Sequence, residues 1–394
     1  MNIAICSKYG FNPQVGGIET VSCTLARCLR ESGYKVFFIS RRVKPSQENT
    51  EEDVFYLPKK RPILCRDNEQ ALVEFLKVNS INLLLVQHSY KPNLCRLFAK
   101  TARTVGAKIV YAIHTTPDFN SKKILEMQRS DIFLPHLNLF EKLQKFVRYA
   151  LKPIYVGFRD RKLGRQWRLI HSLGDAVVLL SESYKDIFSR LAGLRGSDKI
   201  YAIGNANKYD VGDLPIDMKK ENLVLFVGRL SEEKNPDKLL KVWSCVEDKF
   251  PDWRLELLGD GKMYNSVESL RYALGLQRCV LRGRQNPKTY YERAKIIASL
   301  SNFEGFPLNL TEAMQHGCVP VAFDTFASYV DIIDYGKAGV AVCNKSIEDF
   351  SIELSLLMSD SRKWQEMSRQ ARLSVLRYDR EEIVKQWIML FEKL

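Results

Sequence analysis

Long apolar runs are missing from this 394-residue chain. The longest, residues 81–86 and 109–113, fall far short of the roughly 20 residues a membrane-crossing helix needs. The nine cysteines include no Cys-x-x-Cys pair, which excludes a zinc knuckle and a dithiol redox site and leaves buried, reduced thiols as the expectation. No Gly-x-Gly-x-x-Gly follows a strand pattern, which argues against a nicotinamide or flavin enzyme. Repeats of solenoid length are also absent. Met1 to Cys6 reads as a strand and lacks the basic, apolar and small-residue regions of a secretory signal. A cytoplasmic chain, soluble or peripheral on the inner face of the membrane, is the expectation.

What is present is an ordinary globular composition, 45% hydrophobic and 27% charged, in a chain long enough for two cores. Apolar runs at residues 2–7, 35–40, 82–87, 108–114, 176–181 and 199–203 alternate with helix-period stripes such as Ile18, Val21, Leu25, Cys28 and Leu29. Strands with little polar alternation, separated by helices, predict an α/β fold with a parallel sheet covered on both faces. A polar stretch at 208–222 marks a boundary, after which the grammar repeats, with strands at 223–227, 254–258, 279–281, 296–298, 319–322 and 339–342. Two Rossmann-like, doubly wound domains facing across a cleft are expected. The first is 1–205 with the terminal helix crossing back at 378–394, and the second is 206–377. Ligands of such sheets bind at the carboxyl ends of the strands.

The net charge of +14 is concentrated in residues 141–168. Lys142, Lys145, Arg148, Lys152, Arg159, Arg161, Lys162, Arg165 and Arg168 stand there against Glu141 and Asp160 alone. Phe140, Leu143, Phe146, Val147, Ala150 and Leu151 recur at helical spacing, and Tyr149, Tyr155, Phe158 and Trp167 add aromatic weight. A basic helix with an apolar face suits an anionic membrane surface. A core-packed helix with a solvated basic face fits the pattern equally well. Nucleic acid is not expected, because no recognised binding motif accompanies the charge.

Three loops could carry chemistry. In the first, residues 301–314, a strand ends, a turn forms at Gly305 and a helix opens near Asn309. Asn309 and Glu312 match a capping box. The same turn could direct amides and a helix N-terminus at a diphosphate, with Glu304 and Glu312 free to accept sugar hydroxyls. In the second, residues 227–236, Asn235 and Pro236 read as N-cap and first helical residue, flanked by Arg229 and Lys234. A fixed guanidinium beside a mobile ammonium suits the charge on a departing diphosphate, although a solvated basic loop has the same composition. The third loop places Gly16 and Gly17 at a helix start, where backbone can approach a ligand or simply turn tightly. Histidine is scarce, with five in the chain. His114 and, with less weight, His88 end strands on the ligand side, while His316 sits at a helix C-terminus and reads as structural.

Taken together, these motifs resemble the retaining glycosyltransferases of family 4, which have the fold called GT-B. The two glutamates spaced as Glu304 and Glu312, the loop Gly228-Arg229-Leu230 with Lys234, the pair Gly16-Gly17, and the stretch from His316 to Asp324 occur in the family's order. The resemblance implies that Arg229 and Lys234 bind the donor diphosphate and stabilise it as it leaves. It implies that Glu312 accepts ribose hydroxyls and that Glu304 contacts the donor sugar. It places amides around Phe306, Pro307, Leu308 and Asn309, with those of Gly16 and Gly17, in the phosphate cradle, and His114 beside the transferred sugar. It implies no metal and no cofactor beyond a UDP- or GDP-linked sugar as co-substrate, and this chain has no Asp-x-Asp at a strand end. The acceptor implied is a glycan or a lipid-linked one, in cell-surface polysaccharide synthesis. Two other readings share the fold: a sugar-nucleotide epimerase and a non-catalytic sugar-nucleotide-binding protein.

Overall fold

A computed structural model describes residues 1–7, 11–12, 16–41, 54–87, 91–119, 138–209 and 219–394, apart from the side chains of residues 145 and 148. The chain divides into two compact units, Met1–Ala206 with Ile383–Leu394, and Asn207–Glu382. The crossings fall after Ala206 and after Glu382, where the sequence placed them after Asn205 and before Tyr378.

In the first unit the order is β1 (Asn2–Ser7), α1 (Gly17–Glu31), β2 (Lys35–Ser40), β3 (Val54–Tyr56), α2 (Arg66–Val78), β4 (Leu83–Val86), α3 (Pro92–Val105), β5 (Lys108–Ile113), α4 (Leu139–Ala150), α5 (Lys152–Leu173), β6 (Ala176–Leu179), α6 (Ser183–Ala192) and β7 (Ile200–Ala202). The strands form one parallel sheet in the order β3-β2-β1-β4-β5-β6-β7. Every residue of β4 and β6 is buried, as a sheet covered on both faces demands. α1 buries the expected stripe of Val21, Leu25, Cys28 and Leu29. α3 starts with Pro92 in its first turn and stops at Gly106, whose φ of 73° is the left-handed conformation that ends helices. β3 was not expected from the sequence, because three half-buried residues give too short a pattern to register.

In the second unit the order is β8 (Glu221–Val227), α7 (Pro236–Val246), β9 (Arg254–Leu258), α8 (Tyr264–Ala273), β10 (Cys279–Gly283), α9 (Lys288–Arg293), β11 (Ala294–Ser299), α10 (Leu308–Gln315), β12 (Val319–Phe323), α11 (Ala327–Ile332), β13 (Val340–Val342), α12 (Ile347–Ser359) and α13 (Ser361–Val375). Its parallel sheet runs β10-β9-β8-β11-β12-β13 around a core holding Trp243, Leu257, Ile296, Val321 and Phe350. The last helix, α14 (Arg380–Lys393), begins in this unit, and its residues from Ile383 onward cluster with the first. Lys393 there lies 5.2 Å from the ring of Tyr201.

The basic stretch differs from the single helix expected. It forms two helices that break at Leu151, the C-cap of α4 and N-cap of α5. The halves have opposite fates. On α4, Leu139, Phe140, Leu143 and Phe146 are all exposed, Leu139 at 84%. On the second half of α5, Leu163, Trp167 and Ile170 are buried, and the Trp167 indole N–H donates to the Pro117 carbonyl at 2.9 Å. The core-packed reading holds for the second half of α5, whereas α4 leaves its apolar side chains uncovered. Among the described residues no helix is long and apolar enough to cross a membrane.

Candidate active site

In each sheet the strand order reverses beside the first strand of the unit, between β1 and β4 and between β8 and β11. In open parallel sheets, ligands bind outside the carboxyl ends of the strands at such a reversal. All three loops singled out by sequence leave β1, β8 or β11 at these reversals.

At the second reversal, backbone and side chains stitch the two loops together. The Asn302 amide donates to the Glu233 carbonyl at 2.8 Å. Asn235 is buried, and its side-chain amide donates to the Leu300 carbonyl at 2.7 Å and to Asn302 Oδ1 at 2.9 Å. Asn235 thus stands at the N-cap position as expected but does not cap: its φ of 48° turns the side chain away from the helix and toward the neighbouring loop. Pro236 follows as the first helical residue.

Across this stitched frame Lys234 Nζ donates to Glu304 Oε1 in a partly buried ion pair. Side-chain exposures of 24% and 15% leave both groups reachable while excluding most water. The alkyl stem of Lys234 lies over Gly228, with Cδ and Cε near where a β-carbon there would project. Arg229 is exposed at the end of β8. Two glycines that the sequence reading passed over complete the frame. A β-carbon on Gly259 would collide with the Gly228 carbonyl, and one on Gly261 with that of Leu230; both glycines have positive φ. The signal for them was Gly-Asp-Gly immediately after a strand.

The capping box expected at Asn309 does not form. α10 starts at Leu308 with Pro307 before it, so Asn309 is already inside the first turn, and its side-chain amide donates to the Val227 carbonyl at 2.8 Å. That bond ties α10 to the end of β8. Phe306 is buried and packs edge-on against Tyr378, with ring centroids 5.0 Å apart. Glu312 is 8% exposed and accepts a long hydrogen bond, 3.5 Å, from the Tyr291 hydroxyl. Burial pushes its carboxyl up to about 7, against the opposing pull of the Lys208 ammonium and the Tyr291 hydroxyl. His316 is buried at the end of α10, with Nδ1 at 2.8 Å from the Glu312 carbonyl, a structural role as expected.

Near the first reversal the described residues include a hydrogen-bonded amide and imidazole. His114, just past β5, hydrogen-bonds through Nε2 to Oε1 of Gln87, which directly follows β4. Gln87 is fully buried, and the sequence reading had not singled it out. A glutamine at a strand end carries no pattern of its own. Gly16 is the N-cap of α1 in extended conformation, and a β-carbon on it would crowd the Glu19 carboxylate. Around Gly17 there is open space. His88 lies outside the described residues.

Comparison with known proteins agrees with this geometry. The family model for glycosyl transferases group 1 matches residues 215–374, and the glycosyltransferase family 4 model matches residues 15–206. An uncharacterized glycosyltransferase of Haemophilus influenzae is 27% identical over 383 residues, covering 94% of this chain and 95% of the relative. A Campylobacter jejuni α-1,4-N-acetyl-D-galactosaminyltransferase, whose name gives an undecaprenol-linked diphosphate acceptor, is 24% identical over 342 residues, 84% of this chain and 92% of its own. Among solved structures, Anabaena HepE in complex with UDP superposes with a TM-score of 0.72 at 15% identity, and the lipopolysaccharide outer core galactosyltransferase WaaB, in its apo form, with 0.70 at 17%. Both cover the full length of each chain and carry the fold, GT-B. Two adjacent family models and relatives matched nearly end to end place this chain among the group 1, family 4 glycosyltransferases.

Proposed function

We propose that this chain is a retaining, metal-independent hexosyltransferase that passes a sugar from a UDP- or GDP-linked donor to a glycan or lipid-linked acceptor in cell-surface polysaccharide assembly. The Lys234–Glu304 pair at the strand-order reversal carries the proposal. A diphosphate arriving at the end of β8 competes with Glu304 for the Lys234 ammonium. It takes that cation together with Arg229, and Glu304 is released to accept hydroxyls of the donor sugar. The bond from the anomeric carbon to the diphosphate oxygen breaks, and the acceptor oxygen bonds to that carbon on the same face. The acceptor proton passes to the departing diphosphate. The two cations offset the charge that develops on the leaving group, the role a metal ion plays in other transferases. Glu312, lifted by burial, ionises near neutral pH to accept the ribose hydroxyls, with the α10 start from Phe306 to Asn309 serving phosphate. On the sugar side, His114 is held by Gln87, which fixes its ring toward the reacting hydroxyls.

A membrane-facing role for α4 fits a lipid-linked acceptor. The exposed Phe140, Leu143 and Phe146 lie among basic residues, the pattern of an interfacial helix. In this reading Lys142, Lys152, Arg159, Arg161, Lys162 and Arg165 meet anionic lipid on the cytoplasmic side.

The test is a panel of nucleotide sugars with saccharide and polyprenyl-linked acceptors, with product anomers read by NMR. An axial donor should give an axial product, with turnover unchanged by a chelator. An inverted product removes the retaining mechanism, and conversion of donor in the absence of acceptor favours the epimerase reading instead.

A further inference from the structure

The second half of α5 carries a feature that sugar transfer does not use. Arg161, Gly164, Arg165 and Arg168 follow one another at spacings of three, one and three, so they share one face of the helix, opposite the buried Leu163, Trp167 and Ile170. At the centre of this face Gly164 is buried, and a β-carbon there would collide with the Leu191 carbonyl. Only glycine lets α6 cross so close. The crossing brings Arg190 and Leu191 of α6 beside the arginine face and leaves a solvent-open cavity of about 290 Å³ lined by Asp160, Arg161, Gly164, Arg165, Arg168, Arg190 and Leu191.

Four guanidiniums face one carboxylate in this space. Arg168 is pinned, its Nε–H donating to the Ala192 carbonyl at 3.0 Å, so the plane of its guanidinium is set before any ligand arrives. Among the described residues no ion pair joins Arg161, Arg165 or Arg190 to a carboxylate. All four arginines are exposed, so water screens their mutual repulsion, and the face offers an anionic ligand four cations against one carboxylate. Planar, forked donors converging on one point match phosphate oxygens. The size fits too. Sites for drug-sized ligands range from about 300 to 1,000 Å³, so this cavity suits one or two phosphate groups and not a whole nucleotide sugar.

We infer that the α5–α6 cavity is a binding site for a phosphate group presented by a membrane lipid. The lipid source rests on the membrane role proposed for α4; the phosphate chemistry does not. What favours a lipid is continuity along one face. Ile154 and Phe158, both exposed, precede Arg161, Arg165 and Arg168 on the same stripe of α5, at steps of four, three, four and three residues. An amphiphile can lay its chains against Ile154 and Phe158 with its phosphate in the arginine cavity. Within its own unit the cavity also lies away from the carboxyl edge of the sheet. α6 starts at the carboxyl edge of the sheet and descends from it, and Arg190 stands at its far end.

The decisive experiment compares two double variants of the full chain that remove equal charge, Arg161→Gln with Arg165→Gln and Lys142→Gln with Lys162→Gln. Each is titrated with vesicles of phosphatidylcholine doped with phosphatidic acid or with phosphatidylserine, and separately with inorganic pyrophosphate. Folding is checked by circular dichroism. The cavity predicts tighter binding to phosphatidic acid vesicles than to phosphatidylserine at equal surface charge. It predicts a loss on the order of a hundredfold in the arginine pair and a much smaller loss in the lysine pair. Pyrophosphate binding that needs the arginines, with vesicle binding that does not, keeps the phosphate site but overturns the lipid source. Equal losses in both pairs, with no preference for phosphatidic acid and no pyrophosphate binding, overturn the site altogether. Vesicle binding that persists in the arginine variant and falls when Phe140 and Leu143 are replaced by Ser leaves the membrane role standing without the site.

Discussion

The two sheets share a strand order around their reversals, yet the chemistry at the two points differs in kind. Beside β8 and β11 stand a lysine and a glutamate in a partly buried ion pair. In the first sheet, the described groups brought together past the ends of β4 and its neighbour β5 are a glutamine and a histidine. One scaffold repeated in tandem is thus differentiated by charge. A point that grips a diphosphate needs cations and a carboxylate to restrain them when it is empty. A point that positions hydroxyls needs neutral donors and acceptors, because uncompensated charge there would be costly to desolvate.

The largest effect should come from breaking the charged pair. Lys234→Ala is expected to lower turnover on the order of 10²- to 10³-fold while the protein stays folded, since it removes a cation from the leaving group. Lys234→Arg should recover part of the loss. Steady-state kinetics with thermal melts separate this outcome from simple unfolding. A smaller effect, about 10- to 100-fold in kcat/KM, is expected for Gln87→Ala, which frees the His114 ring to rotate. Gln87→Glu should instead raise the histidine's pKa and move the pH–rate profile to higher pH. If Gln87→Ala leaves kinetics untouched, the Gln87–His114 pair is only packing.

The smallest effect concerns Glu312 and appears in stability. Its carboxyl sits at about 7 in the folded chain against an ordinary 4.5, so the folded state holds its proton longer than the unfolded state. Protein with more protons bound when folded loses stability as pH rises, here between about 4.5 and 7, and the loss is complete above that range. Glu312→Gln removes this dependence. Relative to wild type, the variant should gain up to about 3 kcal/mol between pH 5 and pH 8 in urea unfolding. A difference that does not change with pH would mean that the carboxyl is not desolvated as its burial implies.

Most of the scaffold was legible in the sequence, because buried parallel strands leave unbroken apolar runs and helices leave stripes. The three loops were legible because glycine, proline and charged residues cluster where strands end. What escaped had a physical reason. The side chains of Asn235 and Asn309 bond across space to Leu300 and Val227, so local capping rules, which see only neighbours in sequence, assigned them to their own helices. Gln87 gained meaning only when the sheet brought it against His114. Gly259 and Gly261 matter through collisions with carbonyls of a loop some 30 residues earlier; Gly-Asp-Gly after a strand marks the turn but not that partner. The basic stretch looked uniform because hydrophobic residues occur throughout it; only packing reveals that Trp167 is anchored and Phe140 is not.

The difference between the ion pair of the second sheet and the amide–imidazole pair of the first is tested most directly by calorimetric titration of UDP and GDP into the wild type and Lys234→Ala. One nucleoside diphosphate should bind the wild type, with affinity that weakens as salt is raised, and the variant should bind it at least about tenfold more weakly. Equal affinity in the two proteins would contradict the assignment of the second reversal as the diphosphate site.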